Sequence, residues 1–213
     1  MNKDILICGV GGQGTVLASK LAAAAAMRAG ETVHTAETIG MAQRGGSVTS
    51  HVRIGTEAYA PLIPSAGADV ILAFEPAEAV RNLGYLKADG MVIVNCVPVK
   101  PVSESLKLAS GSAAGGKNSG GDGGYDGSGM LAYLQKKCKN LLVVDAEELC
   151  KPFGSSRYFN VAILGAAVGT GKTGLRAADV LAEIDERVKE AYRETNKKAF
   201  MAGMQAGGTD AVK

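Results

Sequence analysis

Ile5-Leu6-Ile7-Cys8-Gly9-Val10-Gly11-Gly12-Gln13-Gly14 decides how the rest of the chain is read. Four apolar residues without interruption make a short buried strand, and the glycines that follow end it in a tight turn. A run of small helix formers then extends from about Gln13 to Ala29, includes the alanines at 22–26, and stops at Gly30, where a left-handed cap residue is expected. Alanines on that helix allow close packing on a sheet. Strand, glycine turn and helix together open an α/β domain.

The alternation continues downstream. Thr32 to Glu37 reads as a second strand and Ser47 to Ile54 as a third, with Val48, Val52 and Ile54 on one face and Thr49, His51 and Arg53 on a face that is wet or functional. Asp69 to Phe74 and Met91 to Asn95 are further strands, separated by a helix over Pro76 to Leu83 with proline in its first turn. Leu141 to Val144 is another strand, and Asn160 to Val168 and Leu175 to Ala191 are helices, the last with Ala177, Leu181, Ile184, Val188 and Ala191 at helical spacing. Ser110 to Gly129 holds nine glycines and, apart from Tyr125, nothing apolar larger than alanine, which predicts a flexible loop insertion. The expected organisation is one Rossmann-like α/β domain over 1–195, with a mostly parallel sheet and helices on both faces, and a frayed tail over 196–213.

Composition narrows the function classes. The 213 residues are 46% apolar, enough for one ordinary core, and 23 basic against 21 acidic side chains leave a net charge of only +2. That gives no footprint for a nucleic-acid backbone, and no basic run is interleaved with aromatics to stack bases. No apolar stretch approaches the roughly 20 residues that cross a bilayer, and the N-terminus runs straight into a strand, so a cytoplasmic protein without membrane contact is expected. Cys8, Cys96, Cys138 and Cys150 are far apart, no C-x-x-C pair occurs, and the histidines are only His34 and His51, so no metal site is expected.

Two segments carry candidate binding chemistry. Gly9, Gly11 and Gly14 satisfy G-x-G-x-x-G, and a glycine turn entering a helix offers free backbone N–H groups and the positive end of the helix dipole to an anion. Glu37, at the end of the second strand, stands where a dinucleotide-binding fold puts its ribose carboxylate, so a stand-alone NAD-dependent dehydrogenase is one reading. The same glycines would also serve a tight turn and close helix–sheet packing alone. Gly12 and Gln13 suggest a turn shaped for something other than a standard pyrophosphate. The second segment, Glu37 to Ser47, places Gln43 and Arg44 beside Gly45 and Gly46, and the Arg44 guanidinium could hold a carboxylate or phosphate.

Other patterns are discounted. Ala166 to Thr173 approximates a P-loop but follows a helix pattern instead of a strand, and Gly121-Asp122-Gly123 lacks the Asn-Asn pair of a thiamine-diphosphate motif. No G-x-S-x-G elbow supports a serine nucleophile, and His51 on a strand reads as a satisfied polar side chain. The chain offers anion-binding groups without a complete catalytic set, and its catalytic residues stay unassigned.

The residues at 5–15, Ala36-Glu37-Thr38-Ile39-Gly40-Met41-Ala42-Gln43-Arg44-Gly45-Gly46-Ser47 with Ser50-His51-Val52-Arg53, and Phe74-Glu75-Pro76-Ala77-Glu78-Ala79 closely resemble the gamma-type subunits of 2-oxoacid:ferredoxin oxidoreductases, the indolepyruvate type in particular. The resemblance is strong to about residue 100 and resumes more weakly from Leu141 to Ala191. It implies the fold of domain III of pyruvate:ferredoxin oxidoreductase and a complex that decarboxylates aryl 2-oxoacids oxidatively to aryl acetyl-CoA and reduces ferredoxin. It also implies that a larger partner subunit carries thiamine diphosphate and iron–sulfur clusters, while coenzyme A and the 2-oxoacid enter as small molecules. On this reading Gly11 to Gly14 and Arg44 to Gly46 line one wall of a shared cleft and hold the anionic part of CoA or substrate. A non-catalytic assembly role, with the same loops docking the large subunit, is the alternative. Either way the two loops should lie on one side of the molecule.

Overall fold

The computed structural model describes residues 1–40, 45–56, 59–99 and 126–208. Gln43, Arg44 and most of the glycine-rich stretch, including Gly121-Asp122-Gly123, lie outside the described residues. Six strands form one sheet: β1 (Lys3–Val10), β2 (Val33–Ile39), β3 (Ser47–Ile54), β4 (Ala68–Ala73), β5 (Leu86–Asn95) and β6 (Asn140–Val144), in the order β2-β3-β1-β4-β5-β6. The pairs β1–β4, β4–β5 and β5–β6 are parallel, whereas β3 is antiparallel to both β1 and β2. The sheet is thus mostly parallel, as expected, with β3 alone reversed. The link from Gly40 to Gly46 is too short for a crossover and can only be a hairpin.

The first helix, α1 (Thr15–Arg28), follows the glycine turn and ends before Gly30, whose φ of 84° is the left-handed conformation its sequence position called for. It covers the face on which Ile5, Ile7, Val52, Val70, Leu72 and Ile93 are buried. On the other face α2 (Pro76–Arg81) and α3 (Ser128–Lys137) bury Ala79 and Leu134 against Leu6, Cys8, Ile71 and Val92. Helices therefore leave β1 and β4 toward opposite faces, which opens a crevice beyond the strands' carboxyl ends.

The structure corrects several expectations. Pro76 to Leu83 is helical only to Arg81, then tightens into a 3-10 turn over Leu83–Tyr85, and β5 begins at Leu86 instead of Met91. Ser128 and Gly129 are not loop but the first residues of α3, entered through Gly127 at a φ of 74°. The face of β3 bearing Thr49, His51 and Arg53 is only partly open to solvent, with His51 buried. The Arg53 guanidinium donates to the carbonyls of Ala60 and Leu62, and the Ile63 N–H donates to His51 Nδ1 at 3.1 Å, so residues 60–63 fold across it. A short α4 (Ala146–Cys150), capped by the Asp145 carboxylate, passed unread in the sequence because it has barely more than one turn.

The C-terminal third departs furthest. After α5 (Phe159–Gly169), the predicted helix over Leu175 to Ala191 divides into α6 (Ala177–Arg187) and α7 (Glu190–Gly208), with Val188 extended between them at φ −89° and ψ 139°. The tail beyond Lys197 is not frayed: α7 continues through Gly208 and buries Asn196, Ala199, Phe200, Gly203 and Gly207. Glycine reads as a helix breaker, yet here it is what lets α7 approach α5. A Cβ on Gly203 would fall on the Ala162 carbonyl oxygen, and one on Gly207 on that of Ala166. The facing Gly165 and Gly169 are equally close to α7 backbone.

Gly203→Ala should accordingly overpack this contact and cost about 3 kcal/mol, a fall of roughly 6–12 °C in the unfolding midpoint for a chain of this size. Gly208→Ala, whose Cβ would meet nothing closer than 4.0 Å, should show no such loss in the same thermal melts.

Candidate anion-binding cleft

The turn after β1 is shaped by two residues in the left-handed region, Gly12 at φ 99° and Gly14 at φ 83°. Gly14 is the N-cap of α1, so no side chain caps that helix, and its first turn contains no acid. The N–H groups of Thr15, Val16 and Leu17 therefore have no intrahelical acceptor, and the positive end of the dipole is left uncompensated. A Cβ on Gly14 would overlap Asn160 Nδ2, which explains glycine there on steric as well as conformational grounds.

Gln13 organises the strand ends. Its Oε1 accepts from the Val10 N–H at 2.8 Å and its Nε2 donates to the Phe74 carbonyl at 3.2 Å, tying β1 to the end of β4. Asn95, at the end of β5, donates to the same carbonyl at 3.3 Å and accepts from the Ala146 N–H at 3.3 Å. One polar chain thus runs across the ends of β1, β4 and β5 to the start of α4. Gly9 must lack a side chain for this to fit, since a Cβ would lie 2.7 Å from Gln13 Oε1 and 3.1 Å from Phe74 Cβ.

Above this floor lies a cleft of about 340 Å³ lined by Gly12, Gln13, Gly14, Asn95, Arg157 and Asn160, among others. The structure thus brings the glycine turn to a pocket at the crevice. It also joins the two predicted loops: the Gly11 N–H donates to the Gly46 carbonyl at 2.8 Å, so both lie on one side of the molecule. Gly45 and Gly46 flank the turn without lining this cleft.

Glu37 lies elsewhere. β3 intervenes between β1 and β2, which displaces Glu37 by one additional strand, about 5 Å, from where a dinucleotide fold would place a ribose carboxylate beside the turn. Its carboxylate accepts from Ser19 Oγ at 3.3 Å in a separate groove beside α1. Among the described residues, the cation that reaches the cleft is the exposed Arg157, in the 3-10 turn Ser156–Tyr158 that leads into α5. Sequence reading passed over Arg157 and Asn160 as site residues because about 145 residues separate them from the glycine turn. The available signal was local: Ser155, Ser156, Arg157 and Asn160 stand immediately ahead of the apolar run Val161 to Val168.

The remaining ionisable groups are set for structure. Burial, then the carboxylates of Glu78 and Glu75, push the Cys8 thiol far up, and burial followed by Glu147 pushes Cys150 up to about 11. Burial also raises Cys96 and Cys138, so all four thiols stay protonated near neutrality. Among the described residues no three His, Cys, Asp or Glu side chains converge as metal ligands, and this chain's cysteines do not fit an iron–sulfur cluster. Burial and then Arg53 hold His51 below its ordinary 6.5. Neutral His51 accepts through Nδ1 and lies edge-on to Tyr85 at 5.7 Å. Among the described residues no helix is long and apolar enough to cross a membrane.

Fold and cleft define a class: a Rossmann-like α/β domain with a glycine turn and polar side chains around a cleft at its crevice. Residues 4–206 match the family described as pyruvate ferredoxin/flavodoxin oxidoreductase. The chain belongs to that family and is a gamma-type small subunit of its 2-oxoacid:ferredoxin oxidoreductases. It is 38% identical to indolepyruvate oxidoreductase subunit IorB of Archaeoglobus fulgidus, over 95% of this chain and 94% of the relative. Identity to the Pyrococcus horikoshii IorB is 37%, covering 95% of each. In fold it is similar to pyruvate oxidoreductase subunit PORC of Thermotoga maritima, with a TM-score of 0.66 at 21% identity over 96% of both chains. A 2-oxoglutarate:ferredoxin oxidoreductase of Magnetococcus marinus, solved with 2-oxoglutarate, coenzyme A and succinyl-CoA bound, is similar at 0.66 and 19% identity, over 97% of this chain and 31% of that one.

His51 generates a pH dependence with a definite sign. Its pKa is lower folded than unfolded, so the unfolded chain binds more protons below about pH 6.5, and the stabilisation present above that pH declines as acidity rises. Denaturant midpoints should fall between pH 7.5 and 5.5, and His51→Gln, which keeps an acceptor for Ile63 but cannot be charged, should flatten that fall.

Proposed function

We propose that this chain supplies one wall of the coenzyme A site in an indolepyruvate-type complex. The observation that carries the reading is the uncapped start of α1, with Gly12 to Gly14 at its end, opening into a cleft that also holds the Arg157 side chain. A phosphate of CoA suits both: amide donors aligned with a helix dipole, and a guanidinium whose planar fork matches phosphate oxygens. Arg44 and Gln43, in the segment that Gly46 ties to Gly11, would add charge and an amide.

The larger partner would bring thiamine diphosphate and iron–sulfur clusters, which supply the decarboxylation and the electron path. An aryl 2-oxoacid and CoA would give aryl acetyl-CoA, carbon dioxide, a proton and two electrons passed to ferredoxin. The residues of this chain bind and orient. The first-turn amides of α1 and Arg157 hold the phosphate, and the Gln13 and Asn95 side chains keep the floor rigid. Similarity to the IorB relatives supports the aryl 2-oxoacid substrate and the larger partner, and the cleft supports the CoA role. The compartment that suits such chemistry is a reducing cytoplasm.

The isolated chain should show no oxidoreductase activity and should gain it when mixed with the cluster-bearing partner. Turnover with NAD by the chain alone would overturn the reading. In the assembled complex Arg157→Ala should raise KM for CoA about tenfold with kcat nearly unchanged, the pattern of lost binding common to ground and transition states. Weakened assembly with an unchanged KM would instead assign the surface to subunit docking.

A further inference from the structure

Beneath the paired loops lies a polar contact that the anion-binding reading does not use. Glu78, on α2, is 2% exposed. Its Oε2 accepts from Ser47 Oγ at 2.6 Å and its Oε1 pairs with Arg81 Nη1 at 3.2 Å. The backbone N–H of Glu78 donates to the Glu75 carboxylate at 3.0 Å, which fixes the start of α2 and the direction in which the Glu78 side chain leaves it. The Asn82 side chain closes the last turn on the Glu78 carbonyl at 2.9 Å. A buried carboxylate needs its donors, and Ser47 provides one of them from the start of β3.

Ser47 is where the β2–β3 hairpin loop closes. Its carbonyl accepts the Gly40 N–H at 2.9 Å, and the carbonyl of the preceding Gly46 accepts the Gly11 N–H at 2.8 Å. One residue therefore meets three constraints: the hairpin through its backbone, the glycine turn through its neighbour, and α2 through its hydroxyl. We propose that Glu78 is a positioning residue which, through Ser47, sets Gly46 and Ser47 against the β1–α1 turn and so presets the wall that holds the anion. The proposal rests on the CoA reading for its effect on activity, but not for its effect on the loops.

Two readouts separate the possibilities. In the assembled complex Ser47→Ala should raise KM for CoA about five- to tenfold with kcat within twofold of wild type, the loss expected for one hydrogen bond of ordinary net strength. Hydrogen exchange in peptides covering 9–14 and 45–50 of the same complex should quicken, and Ser47→Thr, which restores the hydroxyl, should return both measurements to wild type. Glu78→Gln, which retains an acceptor for Ser47, should fall between. Faster exchange at both loops with an unchanged KM supports the positioning role and overturns the CoA reading. Unchanged exchange in Ser47→Ala overturns the positioning role whatever KM does, as does a Ser47→Thr chain that stays as loose as Ser47→Ala.

Discussion

The Phe74 carbonyl, with the Gln13 and Asn95 amides converging on it, is the point on which the site depends. Helices leaving β1 and β4 toward opposite faces necessarily part the chain at the end of the sheet. A gap of that kind exposes backbone groups with no ladder to join, and the long polar side chains of Gln13 and Asn95 satisfy them there instead of leaving them to water. The crevice is thereby given a fixed floor, and Gly9, Gly12 and Gly14 are the places where the fit around it excludes a side chain or requires positive φ.

Much of this was legible in the chain itself. The strand-turn-helix opening could be read because uninterrupted apolar residues, glycines and alanines each point to the same local structure, and agreement between levels is what makes a segment readable. The reversed direction of β3 was not. Period-two alternation marks a strand but is blind to its direction, and only the shortness of the Gly40 to Gly46 link implied a hairpin. That one reversal also moves Glu37 away from the turn, so the pattern suggesting a nucleotide ribose was met in sequence and undone by topology.

The residues around the cleft were half visible for a related reason. Gly12, Gln13 and Gly14 could be found because a turn is a local object, whereas Arg157 and Asn160 reach the same cleft only through the packing of α5 under the sheet. The tail misled because glycines at 203 and 207 carry opposite meanings in isolation and in contact. In a lone helix they cost stability; against the alanines and glycines of α5 they permit backbone contact that no larger residue would allow.

The hairpin between β2 and β3 has an evolutionary corollary. Its two arms are fixed by seven register pairs, from Val33 with Ile54 to Ile39 with Val48. Extending the connection would therefore not repay the cost of aligning the strands, and each doubling of a loop's length adds only about 0.6 kcal/mol of closure entropy. Drift in that connector would leave the two strands aligned, while the glycine turn beside it, pinned by steric exclusion, stays closed to experiment.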